Sequence, residues 1–229
     1  MAGDNISATV GHGLGVAPDV VIIKNRDWAS SGAAWQTYHS ALPSTGSSPV
    51  RLGQSLSLDT SDAASGNDFK DQMNNTLPTS TVFSVSSHDG VSAANRYRTY
   101  GRADDYIAYC FAEVEGYSKF GSYTGNGSTD GPFVYCGFKP AFVLTKDTTG
   151  HNWEILDSAR DDYNVAEKRL FPSNNSSEST TETCHDFVSN GFKVRGDHGG
   201  NNVNGSLHIF MAFAEHPFGG DGVSPATAR

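Results

Sequence analysis

Cys184, His185 and Asp186 set a thiol, an imidazole and a carboxylate side by side, the residue types of a thiol nucleophile or a metal site. No second Cys or His follows at ligand spacing, so the run reads as a strand edge whose Cys packs inward. His39-Ser40 and Asp157-Ser158 hold corresponding places in two similar segments, and joined they would supply the members of a hydrolase triad. A triad needs mutual hydrogen bonds and an oxyanion hole, and corresponding sites of two separate units do not generally converge on one point. Asp104-Asp105 and Asp161-Asp162, with Asp157 nearby, are the carboxylates that acid–base work on sugars would need. Adjacent aspartates in loops read instead as turn formers. Asp62, Asn67, Asp68 and Asp71 offer oxygen ligands for calcium, but the EF-hand spacing is missing. His12 lies among Gly11, Gly13 and Gly15, where a phosphate cradle would require a helix next; a Pro-led strand follows. These readings give no catalytic residue, no metal and no cofactor, and the chain is expected not to be an enzyme.

Contact chemistry is better represented. Arg96, Tyr97, Arg98, Tyr100 and Arg102 fall within seven residues of an otherwise acidic chain, and Arg and Tyr are the types enriched at binding hot spots. Trp28 sits in a polar stretch, 24–28, with no Trp counterpart elsewhere, and joins them as a ligand-binding or interface candidate. Trp35 and Trp153 correspond to each other and start strands, which fits core anchors better than sugar platforms.

With a net charge of −9, the main partner is not expected to be nucleic acid or an anionic membrane, because phosphate binding needs clustered Lys and Arg. No run reaches the ~20 apolar residues of a membrane helix, so no membrane insertion is expected, and the N-terminus has no signal-peptide pattern. Cys110, Cys136 and Cys184 are odd in number and widely spaced, which suits buried thiols of a reducing compartment rather than a disulfide framework. Charged residues are 18% against 25 Gly, a balance that favours short strands joined by polar turns over amphipathic helices.

Self-comparison organises the rest. Segment 16–24 matches 138–146, 35–42 matches 153–160, 82–85 matches 191–194, and 107–113 matches 209–215, in one order. The offset falls from 122 at Pro18/Pro140 through 118 at Trp35/Trp153 to 102 at Phe111/Phe213, so the first copy has the longer loops. The matched blocks are apolar runs or period-2 patterns and read as strands. Gly127, Gly191 and Gly205 read as turn glycines with positive φ, and Asn190-Gly191 marks a hairpin between Phe187 and Phe192. Segment 116–125 reads as an extra opening strand of the second copy, which leaves a sheet edge in the first for another subunit to cover. Helix is expected only at 68–74. The expected fold is all-β: two tandem β-sandwich (jelly-roll-like) units from an internal duplication, at 1–115 and 116–218, with a flexible tail at 219–229.

Residues 106–127, the run 131–135 with 137–144, the ending 211–218 and the segment 11–18 resemble a duplicated module of unknown function. That module occurs in tail-associated and virion proteins of marine and environmental bacteriophages, often next to lectin-like domains. The resemblance spans nearly the whole chain and implies no catalytic residue. It implies a non-enzymatic virion structural or adhesion protein, a tail fibre or surface component made in the host cytoplasm. Its partners would be other virion subunits, copies of itself in a homo-oligomer, and a host cell-surface glycan. A glycan-cleaving tailspike enzyme and a ligand-free capsid decoration or assembly protein are the alternatives.

Overall fold

The fold is that of a computed structural model, which describes residues 6–27, 34–43, 54–64, 73–87 and 105–217. It is all-β, with four antiparallel sheets and one four-residue helix among the described residues. No helix there is long and apolar enough to cross a membrane. The chain forms two compact units: unit 1 is Met1–Asp59 with Ala64–Ala112, and unit 2 is Thr60–Ala63 with Glu113–Arg229.

Unit 1 holds β1 (Ile6–Gly11), β2 (Val20–Asn25), β3 (Gln36–His39), β4 (Leu56–Ser57), β5 (Val82–Ser87) and β6 (Tyr106–Phe111). One sheet pairs β1 with β5; the other runs β4-β3-β2-β6. β2 is buried on both faces, so it reads as a continuous apolar run rather than an alternating one. Val21, Ile23 and Tyr38 from the larger sheet meet Phe83 and Val85 of β5 and Met73 in one core.

Unit 2 holds β7 (Ser118–Thr124), β8 (Phe133–Tyr135), β9 (Pro140–Asp147), β10 (Trp153–Asp157), β11 (His185–Val188), β12 (Gly191–Val194), α1 (Gly199–Asn202) and β13 (Leu207–Ala214). The larger sheet runs β10-β9-β13-β7 and the smaller β11-β12-β8. Tyr123, Val143, Leu156, Phe210 and Ala212 from the first pack against Val134, Phe187, Phe192 and Val194 from the second. Each such side chain contributes roughly 1.5–3 kcal/mol on burial. Pro140 opens β9, where a missing N–H is tolerated.

Two expectations change in detail. The β11–β12 hairpin closes on the Val188–Gly191 pair, one residue earlier than the Asn190-Gly191 signal suggested. Gly191 has no positive φ; a Cβ there would sit 2.0 Å from the Val134 carbonyl oxygen, so close backbone approach requires the glycine. Gly127 and Gly205 do take positive φ, 64° and 75°. The Gly- and Asn-rich segment 199–206 contains α1. Of the helix expected at 68–74 only Met73 and Asn74 are described, and Asn74 turns the chain with φ of 50°. The tail at 219–229 lies outside the described residues.

Candidate functional site

The six contact candidates, Trp28, Arg96, Tyr97, Arg98, Tyr100 and Arg102, lie outside the described residues, as do Asp104, Asn67, Asp68 and Asp71. Several of the other candidates are engaged locally. In unit 1, His12 Nε2 lies 3.0 Å from the Thr79 carbonyl oxygen while its Nδ1 accepts from the Leu14 amide. His39 is buried and its Nδ1 accepts from the Ala41 amide; Ser40 donates to Asp19 at 2.9 Å. In unit 2, Asp157 accepts from Arg160 Nε at 2.6 Å, and Asp161 accepts from the amides of Glu167 and Lys168 as a turn former. Neither half of the drawn triad is poised for proton transfer. Trp153 is core, 2% exposed, whereas Trp35 is half-buried, stacked on Tyr109 at 6.4 Å with Lys24 over its ring. Cys136 and Cys184 are buried, and Cys110 is half-buried.

Cys184 and His185 do acquire neighbours that sequence spacing did not reveal. β10 places Glu154 in the interior of unit 2, and the chain entering α1 brings His198 over it. Glu154 accepts from Arg169 Nη1 at 3.0 Å, and its other oxygen lies 3.2 Å from His198 Nε2. Burial pushes the Glu154 carboxyl up, but hydrogen bonding and charge from His198, with Arg169, more than reverse this and leave it below the ordinary carboxylate range. Gly200 makes the approach possible, since a Cβ there would stand 2.3 Å from Glu154 Oε1.

Next to this pair, Asn201 donates its amide to the Cys184 carbonyl at 3.2 Å, so its Oδ1 faces His185 at 2.7 Å. His185 must then donate from Nε2, which leaves Nδ1 as the unprotonated nitrogen of a neutral ring. Burial lowers its pKa to about 4, consistent with that state. Tyr123 donates to the Asn201 carbonyl at 2.8 Å and stacks on His208 at 4.9 Å. The β9 end adds Lys146, whose ammonium donates to the Ser61 and His151 carbonyls and is lowered to about 8 by burial.

One donor atom each from Glu154, Cys184 and His198 fall within 4.8 Å of one another, a thiolate–imidazole–carboxylate set of the kind zinc accepts. Arg169 Nη1, however, stands 3.0 Å from Glu154 and 2.9 Å from His198, so a cationic nitrogen already fills the place between two of the three. Cys184 is fully buried and its thiol is pushed up by burial, which disfavours the thiolate a metal needs. The cluster is an internal ion pair, with Arg169 Nε and His198 Nδ1 left as buried atoms without a hydrogen-bond partner among the described residues.

A second feature of unit 2 is open. A groove of about 290 Å³ is lined by Glu113 and Glu115, by Ser118 and Lys119 at the start of β7, and by Tyr135 and Cys136 at the end of β8. Glu113 accepts a hydrogen bond from Lys119 at its rim. β8 alternates, with Val134 in the core and Phe133 and Tyr135 outward, 48% and 50% exposed. Tyr135 faces Gly191 across the strands.

The chain belongs to the family described as "Domain of unknown function (DUF7483)", which matches residues 1–217. No curated protein and no solved structure matches it.

Proposed function

We propose that the chain is a non-enzymatic structural and adhesion protein of a bacteriophage particle, built from two tandem β-sandwich units that arose by duplication. The strand registers support the duplication. Val20 faces His39 and Phe111 in unit 1; Phe142 faces Asp157 and Phe213 in unit 2. The offsets are 122, 118 and 102, those of the sequence match. Ile23 with Gln36 and Ala108 recurs as Thr145 with Glu154 and Phe210. β7 pairs β13 with no described counterpart against β6, as expected of an extra opening strand.

The observation that carries the non-enzymatic reading is the closure of the unit 2 cluster. Glu154, Arg169, Cys184 and His185 are at most 6% exposed, and the carboxylate is held by Arg169 and His198 rather than aimed at a cleft. Such a network specifies one core arrangement rather than presenting its carboxylate to substrate. The host-facing role follows from the family resemblance and from exposed aromatic side chains such as Tyr135 and Tyr163, the latter 83% exposed. Two similar units on one chain, repeated over a particle, turn weak single contacts into avidity.

The experiment is quantitative mass spectrometry of purified particles with cryo-EM localisation. The chain is expected at a fixed copy number on the particle, with no release of reducing ends from host polysaccharide. A stable monomer absent from particles, or polysaccharide cleavage by the purified chain, would overturn the reading.

A further inference from the structure

We propose that the outer edge of β6 is an interface between two copies of this chain, paired antiparallel about a two-fold axis at Ala108. The inference takes its template from the duplication proposed above and gives that reading a partner and a contact surface.

The hydrogen-bond phase of β6 follows from its start. The Arg26 amide donates to the Asp105 carbonyl at 2.8 Å, in the same register that pairs β2 with β6. Along an antiparallel ladder the direction of the backbone groups alternates. Ile107 and Tyr109 therefore bond β2, and the N–H and C=O groups of Ala108 and Cys110 point away from it. In unit 2 the Thr148 amide donates to the Leu207 carbonyl and the Gly125 amide to the Ser206 carbonyl. That gives β13 the same phase: Ile209 and Met211 bond β9, while Phe210 and Ala212 bond β7. At the offset of 102, Phe210 and Ala212 are the counterparts of Ala108 and Cys110. The backbone groups that β7 satisfies in unit 2 thus face outward in unit 1, where no described strand pairs with them. Side-chain burial agrees. Phe210 and Met211 are 3% and 5% exposed, whereas Ala108 is exposed and Tyr109 is 44% exposed.

β6 has six residues without charge, proline or glycine, and so lacks the devices that blunt a sheet edge. β7, the edge of the larger unit 2 sheet, carries Lys119. A neutral apolar edge selects a neutral apolar strand, and β6 of a second copy is one, with the same backbone groups open. Two-fold pairing uses both edges at once and closes the assembly, joining two four-stranded sheets into one. β7 of a second copy would instead leave an edge at either end and propagate. Because Ala108 and Cys110 supply the bonds, the register moves only in steps that keep them in phase. Centring on Ala108 pairs residues 106–110 and sets Ile107 beside Tyr109 of the second copy, a β-branched side chain against an aromatic one, on both sides of the axis. One step toward the C-terminus brings Asp105 opposite Glu113, and one step the other way pairs only 106–108.

The test is analytical ultracentrifugation of the purified full chain over a concentration series, with amide hydrogen exchange at the same concentrations. The wild type should form a dimer and nothing larger, and the Ala108 and Cys110 amides should gain about tenfold protection or more as it forms. Ala108→Lys and Ala108→Glu each set like charges face to face across the axis and should raise the dissociation constant about tenfold or more. Mixed one to one, the two variants should recover a heterodimer, which also shows that each is folded; the exchange readout needs no variant. Tyr163→Lys, at an exposed position in unit 2, should dimerise as the wild type does. A monomer at every concentration, a dimer that leaves the Ala108 and Cys110 amides unprotected or ignores both Ala108 substitutions, or growth beyond two copies would overturn the proposal. Particle incorporation, measured separately, distinguishes the two readings. A monomeric chain found on particles removes only the β6 interface, and a β6 dimer absent from particles removes only the virion role.

Discussion

Acidification should weaken unit 2 through one imidazole. His185 is fully buried, and burial holds its pKa at about 4 against the free value of 6.5. Above pH ~6.5 the ring is neutral in both states and costs nothing. As pH falls below that, the unfolded chain takes up a proton that the native state refuses, so stability falls. Below pH ~4 both states are protonated and this ring adds no further loss. Between pH ~7.5 and ~4.5 the two pKa values give a loss of roughly 2–3 kcal/mol, at 1.36 kcal/mol per unit. His208, also lowered chiefly by burial, acts in the same direction. Glu154, held below its ordinary range, contributes a loss that comes only at more acid pH. The perturbation is His185→Gln, whose amide keeps a donor toward Asn201 without a titrating ring. Native-state hydrogen exchange of the β11 and β12 amides, corrected for intrinsic rates, reads unit 2 alone. The wild-type opening free energy should drop between the two pH values by roughly 2–3 kcal/mol more than that of the variant. Equal drops in both proteins would refute the reasoning.

Other outcomes follow from the same interior. Arg169→Met leaves Glu154 buried without its cation and should cost about 3–5 kcal/mol in urea unfolding, most of it recovered in the Glu154→Gln/Arg169→Met double variant. Zinc chloride should leave the wild-type Tm unchanged, because Arg169 already fills the gap between Glu154 and His198; a rise would show that the metal displaces it. Gly200→Ala forces a methyl against Glu154 and should lower stability by about 1–3 kcal/mol, read as a shift in urea midpoint. With a disulfide reagent at neutral pH, half-buried Cys110 should react first and Cys136 and Cys184 only on unfolding. Native Cys184 reacting as fast as Cys110 would contradict its burial.

The strands were legible because burial writes them as apolar runs. β2 and β9 are covered on both faces, and their Pro-led runs appear intact in the sequence. The β11–β12 hairpin was legible from Phe187, Phe192 and the turn residues between them. β8 was harder, since three residues carry too little periodicity. α1 was illegible for a different reason. Gly199, Gly200, Asn201 and Asn202 have low helix propensity, and what holds them is tertiary. Asn202 bonds Asn126 and the Ser128 carbonyl, Asn201 bonds His185 and Cys184, and Gly200 clears Glu154. The Cys184 environment was missed with it, because Glu154 and His198 are 30 and 14 residues away in sequence and no local spacing reports them.

On the proposed duplication, the charge inside unit 2 sits on a frame that does not need it. The registers that align the units make Gln36 the counterpart of Glu154, Ile23 that of Thr145 and Tyr106 that of His208. Gln36 and Glu154 are equally buried, 2% each, so one position accepts a neutral amide in unit 1 and a carboxylate in unit 2. Pairing with the inner strand is the same in both, Gln36 on Ile23 and Glu154 on Thr145, hence that pairing does not select the charge. What differs is the partner set, namely Arg169, His198 and the residues of α1, all supplied by chain between the paired strands. A buried carboxylate is tolerated only where such partners arrive. The ion pair therefore reads as an elaboration of unit 2, fixing how α1 packs on β10. That is why removing both charges together should cost far less than removing one.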